Sequence, residues 1–395
     1  MGAPSARVFE LSRRWVEKGQ EVTVLTGFPH HPTGVIPSQY RQHFFKREKI
    51  DGIKVIRTYV YPTANKGFIK RIANYLSFMF SSLLLGATNI HEIDVIIATS
   101  PQFFVAIAGF IISKMKNRPL VLEIRDLWPE SIVQLGQLKN RTIITILEFI
   151  EIYLYRKAHS IVVVAESSVP ILKNKGIDPS KIRVVKNGVD LELFDPARTN
   201  SSLKKSLSLD QKFVVSYIGT LGLSHALDKV LQSASILQNN SDIHFLLIGE
   251  GAEKDHLKKL TKSLNLTNVT FLDQINKQLL PDYYGISDIV LVTLRKLPLF
   301  QCVIPSKIFE IMAMGKPVLL TVDGEAREMV INQAGAGIFV EPENFQEMAL
   351  TITDLCKNRS SLTDYGSNGL NFVRTNYDRL TIADNYLAYL RQIIE

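Results

Sequence analysis

Short aliphatic and β-branched runs alternate with helix-period segments along almost the whole 395-residue chain, and this alternation limits the fold more than any other feature. Strand-like runs are read at residues 21–26, 54–59, 95–99, 120–124, 160–164 and 182–185, with helical patterns between them. A polar stretch with Pro196, Asn200 and several serines then interrupts the pattern. A second series follows, with strands at 213–218, 244–248, 269–272, 289–292, 318–321 and 337–340 and a closing helix at 379–395. Strands alternating with helices demand a parallel sheet covered on both faces. Apolar residues make up 46% of the chain, enough for two cores. The expected architecture is α/β, with two doubly wound Rossmann-like domains facing across a cleft. The domains are read as 1–195 and 211–378, joined by a linker at 196–210. Ligands of such sheets bind beyond the carboxyl ends of the strands. A doubly wound domain normally opens on a strand, whereas Met1-Gly2-Ala3-Pro4-Ser5 leads straight into a helical pattern. The opening strand of the first domain is therefore expected to be missing from this sequence.

The segment Pro305-Ser306-Lys307-Ile308-Phe309-Glu310-Ile311-Met312-Ala313-Met314-Gly315-Lys316-Pro317 reads as a helix with both ends marked. Ser306 is a good N-cap, Gly315 suits a left-handed C′ position, and Pro317 forbids continuation. Lys307 and Glu310 are three apart and share a face of the first turn. A cation beside the free N–H groups of a helix start is a seat for phosphate, and a carboxylate next to it suits a ribose diol. Two other turns follow strands at the same sheet edge, Gly219-Thr220-Leu221-Gly222 and Gly249-Glu250-Gly251. Each is a tight turn when taken singly; the three together point to a nucleotide site. In the first domain, Glu123, Arg125, Asp126 and Trp128 cluster at the carboxyl end of an apolar strand, and we read them as ligand-facing. His30 and His31 are read as loop histidines.

Two cysteines cannot make a disulfide framework and fit a reducing compartment. No secretory leader is expected from the opening residues. The net charge of +8 belongs to residues 1–90, which hold 13 Lys/Arg against 5 Asp/Glu. Phe44, Phe45 and Phe68 lie among those cations, so an anionic membrane surface fits better than nucleic acid, for which no binding module is visible. Residues 72–90 carry no charge. Asn74, Ser77, Ser81 and Thr88 fall near one helical face there, which argues for an amphipathic helix rather than a membrane span. No Asp-x-Asp motif is present, so a carboxylate-held metal is not indicated.

With Gly-Ala-Pro-Ser-Ala-Arg at 2–7, Arg-Asp-Leu-Trp-Pro-Glu-Ser at 125–131, Asn-Gly-Val-Asp at 187–190 and Pro-Ser-Lys-Ile-Phe-Glu at 305–310, the chain resembles the retaining glycosyltransferases of family 4, of GT-B fold. More narrowly it resembles their WbuB-like branch, which serves bacterial surface polysaccharide assembly. The resemblance implies transfer of a sugar from a UDP-linked donor to a lipid-linked or oligosaccharide acceptor of O-antigen or capsule type, without a metal or other cofactor. It implies a cytoplasmic protein, peripheral on the inner face of the cell membrane, whose final helix packs back on the first domain. Catalysis would rest on Asp126, Glu310 and Lys307. The donor would be held by Gly2, Gly219, Thr220, Glu250, Gly251, Arg295, Ser306, Lys307 and Glu310. Glu123, Arg125, Asp126 and Trp128 would face the acceptor. The family's first motif glutamate falls at Cys302, and its usual phosphate-binding Arg and Lys after the 213–218 strand are replaced by Thr220, Ser224 and His225. A UDP-sugar epimerase of the same fold and an inactive sugar-nucleotide-binding relic are the alternative readings.

Overall fold

The computed structural model of the chain describes all residues except 1–2, 31–32, 64–67, 101–102, 135, 137 and 201, and not the side chains of 3–6, 68, 131 and 134. It divides into two units, residues 1–186 with 380–395 and residues 187–379.

In the second unit the strands are β8 (Phe213–Ile218), β9 (Ile243–Ile248), β10 (Val269–Leu272), β11 (Ile289–Thr293), β12 (Val318–Thr321) and β13 (Gly337–Phe339). They form one parallel sheet in the order β10-β9-β8-β11-β12-β13. The order reverses between β8 and β11, which opens a ligand-binding position outside the carboxyl ends of those two strands. Helices cover both faces, and two separate apolar layers result, one around Ile308, Phe309 and Met312 and one around Leu231, Phe245 and Ile352. Such double burial explains why these strands read as unbroken apolar runs rather than alternating ones.

The first unit has two sheets instead of the single one expected. Strands β1 (Thr23–Gly27), β2 (Phe45–Ile50) and β3 (Ile53–Thr58) are ordered β1-β3-β2, while β4 (Ile96–Thr99), β5 (Leu120–Ile124), β6 (Ser160–Val163) and β7 (Ile182–Val184) run in numerical order, all parallel. The antiparallel strand β2 is absent from the sequence reading. It joins β3 through Asp51-Gly52, both with positive φ, a two-residue hairpin turn whose flanking strand Phe-Lys-Arg-Glu-Lys-Ile is too charged to register as apolar.

The boundary between the units differs from the sequence reading, the first unit ending at residue 186 instead of 195. The stretch read as a linker, 196–210, packs within the second unit, because Leu209 is buried in that core and Leu203 and Leu207 pack against it. The closing helix Arg379–Ile394 is held by the first unit: Trp15 donates to the Ala383 carbonyl at 2.9 Å and Arg14 pairs with Asp384 at 2.7 Å.

Candidate functional site

The Ser306–Gly315 segment folds close to expectation. The helix runs Lys307–Ala313, Gly315 takes φ 61° at its end, and the Lys316 N–H returns to the Ile311 carbonyl at 3.1 Å, closing the last turn. One detail differs. Ser306 is already in a helical conformation and its side chain makes no capping bond.

Lys307 lies over the Tyr217 ring, 3.7 Å from its centroid. Its Nζ is shut off from water and makes no hydrogen bond. A Cβ on Gly219, whose φ is 150°, would stand 2.5 Å from that Nζ, so the glycine at the end of β8 leaves the room the ammonium occupies. Burial pushes the Lys307 pKa down to about 7, against the pull of Glu310. Burial and Lys307 together push neighbouring His225 down to about 4, so this imidazole is neutral at physiological pH. Glu310 is oriented by Tyr284, fully buried, whose hydroxyl donates to Oε2 at 3.0 Å. The tyrosine hydroxyl of Tyr217 donates to the Thr220 carbonyl at 2.7 Å and braces the loop after β8.

The loops after β8 and β9 are zipped to each other. Leu221 N–H reaches the Glu250 carbonyl at 2.9 Å, and Glu253 N–H reaches the Leu221 carbonyl at 3.0 Å. A Cβ on Gly251 would sit 2.1 Å from the Leu221 carbonyl oxygen. The immediate reason for that glycine is therefore its neighbouring backbone, and not the approach of a ligand. Glu250 bonds Lys254, which also holds Asp273.

Three of the residues read as ligand-facing are engaged elsewhere. Arg295 pairs with Asp228 at 2.7 Å and Glu343 at 3.2 Å and bonds the Leu223 carbonyl, so it ties loops together and has no fork free for a phosphate. Glu123 is buried in a two-pronged pair with Arg7, both contacts at 3.2 Å, while Arg7 also caps the Val185 and Lys186 carbonyls. Trp128 is a core residue stacked on Phe103 at 4.6 Å. Gly2 lies outside the described residues.

Beside that structural pair stands a different kind of cation. Arg125 leaves β5 directly, and its Nε and Nη1 are shut off from water without a hydrogen bond. Burial lowers its pKa, with Glu123 pulling the other way. Asp126 is next to it and keeps an open side to water; the protein mass around its carboxyl raises its pKa against the pull of Arg125, and the open side works against that rise.

Among the described residues no group of His, Cys, Asp and Glu is arranged to hold a metal ion. His30 is a structural residue, bonded to the Phe28 carbonyl and to Asn74. Tyr217 and Tyr284 escaped the sequence reading. For Tyr217 the one signal was a hydroxyl-bearing side chain within an apolar strand; Tyr284, in Leu-Pro-Asp-Tyr-Tyr-Gly, gave none.

Residues 5–193 match the family described as Glycosyltransferase Family 4, and residues 199–372 match Glycosyl transferases group 1. The putative colanic acid biosynthesis glycosyl transferase WcaI of Escherichia coli is 25% identical over 344 residues, covering 85% of this chain and 84% of the relative. The N,N'-diacetylbacillosaminyl-diphospho-undecaprenol alpha-1,3-N-acetylgalactosaminyltransferase of Campylobacter jejuni is 25% identical over 250 residues, 61% of this chain and 62% of that one. Among solved structures, Anabaena Alr3699/HepE in complex with UDP and glucose aligns with TM-score 0.72 at 19% identity, over 99% of this chain and 96% of that chain.

Proposed function

Since this chain belongs to the glycosyltransferases of the family 4 type and has their GT-B fold, we propose that it moves a sugar from UDP to a lipid-linked saccharide acceptor, with retention at the anomeric carbon, in surface polysaccharide synthesis. The observation that carries the reading is Lys307, a buried ammonium with no hydrogen bond, set in the second unit beside the glycine loop after β8. A buried cation left without an anion is costly, and a ligand diphosphate removes that cost. Relatives support the donor kind, the acceptor kind and the polysaccharide setting; retention is part of the proposal. WcaI is named for colanic acid biosynthesis, the Campylobacter enzyme for a diphospho-undecaprenol substrate, and HepE was solved with UDP and glucose. The WbuB-like branch and an O-antigen or capsule product remain part of the proposal.

In the proposed step the bond between the anomeric carbon and the β-phosphate oxygen breaks, and the acceptor oxygen bonds to the same face of that carbon. The acceptor proton passes to the departing diphosphate oxygen. Lys307 neutralises the charge that grows on the diphosphate. Glu310, held by Tyr284, takes the ribose hydroxyls. Asp126 and Arg125, at the end of β5, are the first unit's candidates for contacting the acceptor. No metal is required in this scheme, because the protein supplies the cation.

The full chain, incubated with a panel of UDP-sugars and polyprenyl-diphosphate-linked saccharides, is expected to release UDP only when an acceptor is present. Mass spectrometry should show the acceptor heavier by one sugar, with the donor's anomeric configuration in the new linkage. Epimerised donor in acceptor-free mixtures would instead establish an epimerase. Donor binding without turnover across the panel would establish the relic reading.

A further inference from the structure

The Phe68–Ser81 helix of the first unit buries polar side chains and leaves part of its apolar surface uncovered. Its polar side chains point inward. Asn74 is 5% exposed and donates to the Tyr61 carbonyl at 2.6 Å and to His30. Ser77 accepts from the Tyr61 N–H at 2.7 Å, and Ser81, also buried, bonds Thr58 and the Tyr59 carbonyl. The helix is thus anchored by hydrogen bonds to the chain that leaves β3. Met79 is buried, but three apolar side chains point outward: Ile69 is 82% exposed, Phe80 56% and Leu84, in the π-helical turn that follows, 71%. Spacings of 11 and 4 put them along one stripe of the helix surface. A helix whose whole apolar side met the core would not leave such a stripe uncovered.

Phe44 extends the stripe. It is 71% exposed, and its ring rests on Tyr59, whose carbonyl Ser81 holds. Cations edge the same surface: Lys70 is exposed beside Ile69, and Arg47 bonds Asn89 at the far end of the helical segment. We infer that this stripe is a lipid-docking surface, with Ile69, Phe80, Leu84 and Phe44 entering the headgroup–acyl boundary of an anionic bilayer and Lys70 and Arg47 lying against its phosphates. The inference deepens the reading of a lipid-linked acceptor by assigning the membrane-facing surface. Charge selects the occupant. The first 90 residues hold 13 Lys/Arg against 5 Asp/Glu, an excess that an anionic bilayer complements. Among the described residues no helix is long and apolar enough to cross a membrane, so the helix lies along the surface. Two other cations of the first 90 residues are less available to such a surface. Lys46 is turned toward Tyr40 and Glu48, and Arg71 is half-buried.

The test is co-sedimentation of the full chain with vesicles of phosphatidylglycerol and phosphatidylethanolamine, and with neutral phosphatidylcholine vesicles. Wild type should bind the anionic vesicles, and less at raised salt. The double variant Phe80→Glu, Leu84→Glu should lose at least about tenfold in vesicle affinity, while keeping its thermal midpoint and its turnover of a short-chain, water-soluble acceptor. Lys70→Gln should weaken binding to anionic vesicles alone. Unchanged vesicle binding in the double variant overturns the inference. So does a double variant that binds lipid normally but turns from dimer to monomer in sedimentation velocity, because the stripe would then join two copies of the chain. Vesicle binding that depends on the stripe in a chain without transferase activity would keep this inference and reject the transferase reading, so the two fail separately.

Discussion

Each unit buries cations at the carboxyl ends of its strands, and the two treat them differently. In the first unit Arg7 is saturated: both prongs reach Glu123 and the remaining donors reach backbone carbonyls. In the second unit Lys307 lies on an aromatic face with no hydrogen bond. A saturated charge holds a fold together, whereas an unsaturated one is poised for a ligand. Arg125 places both kinds side by side in one unit, since it adjoins the Arg7–Glu123 pair and its Nε and Nη1 share none of it.

Arg7→Met should break the comparison most forcefully. It strands the Glu123 carboxylate in the core, and about 3–5 kcal/mol of stability should disappear in urea unfolding. A loss under about 1 kcal/mol would show that the pair does not anchor the fold. Lys307→Met should do the reverse. The ligand-free thermal midpoint should hold or rise, while kcat/KM falls by about 10²–10³, the scale of losing one charge-stabilising donor. A variant that is destabilised with normal kcat/KM would turn Lys307 into a structural residue. Glu310→Ala should cost about tenfold in UDP affinity, since a hydrogen bond to a charged group is worth about 1.5–3 kcal/mol and water recovers part of it. Tyr284→Phe should cost less and in the same direction. Unchanged UDP affinity in both would remove the ribose assignment.

The smallest effect is a proton. The folded Lys307 pKa lies near 7, below the ordinary lysine value of 10.5, so its ammonium is disfavoured in the ligand-free fold. That cost to stability is complete below about pH 7 and fades as pH climbs toward the ordinary value. A bound diphosphate restores the charge, so UDP binding at pH 8 should take up about one proton, read from calorimetry in buffers of different ionisation heat. Lys307→Met should abolish the uptake, because His225 near 4 stays neutral throughout. Uptake that survives in the variant would assign the proton elsewhere.

Local chemistry was legible in the sequence wherever both partners lie within one helical turn or one strand end. Lys307 with Glu310, and Gly315 at the helix end, follow from spacing and backbone preference alone. Glu123 was misread because its partner Arg7 is 116 positions away, and an acid at a strand end looks the same whether it meets a ligand or a guanidinium. Arg295 was misread for the same reason, its carboxylates standing 67 and 48 positions off. The Asp51-Gly52 hairpin was in view and was passed over, because a charged strand lacks the apolar signal. The division of the first unit into two sheets could not be read from runs of residues, which mark strands and not their neighbours.

Periodicity by itself determined that the chain is two α/β units, where most strands lie, and that the helix after Ser306 carries a cation and a carboxylate on one face. Tertiary structure decided which charges are spent and which are free. It also decided which way the Phe68–Ser81 helix turns. An amphipathic pattern specifies two faces without saying which one meets protein. Here the free carbonyls and N–H after β3 required polar partners, so Asn74, Ser77 and Ser81 went in and Ile69, Phe80 and Leu84 came out. The physical reason is common to both decisions: a hydrogen bond or an ion pair is a property of two groups, and the second one is usually far away in the chain.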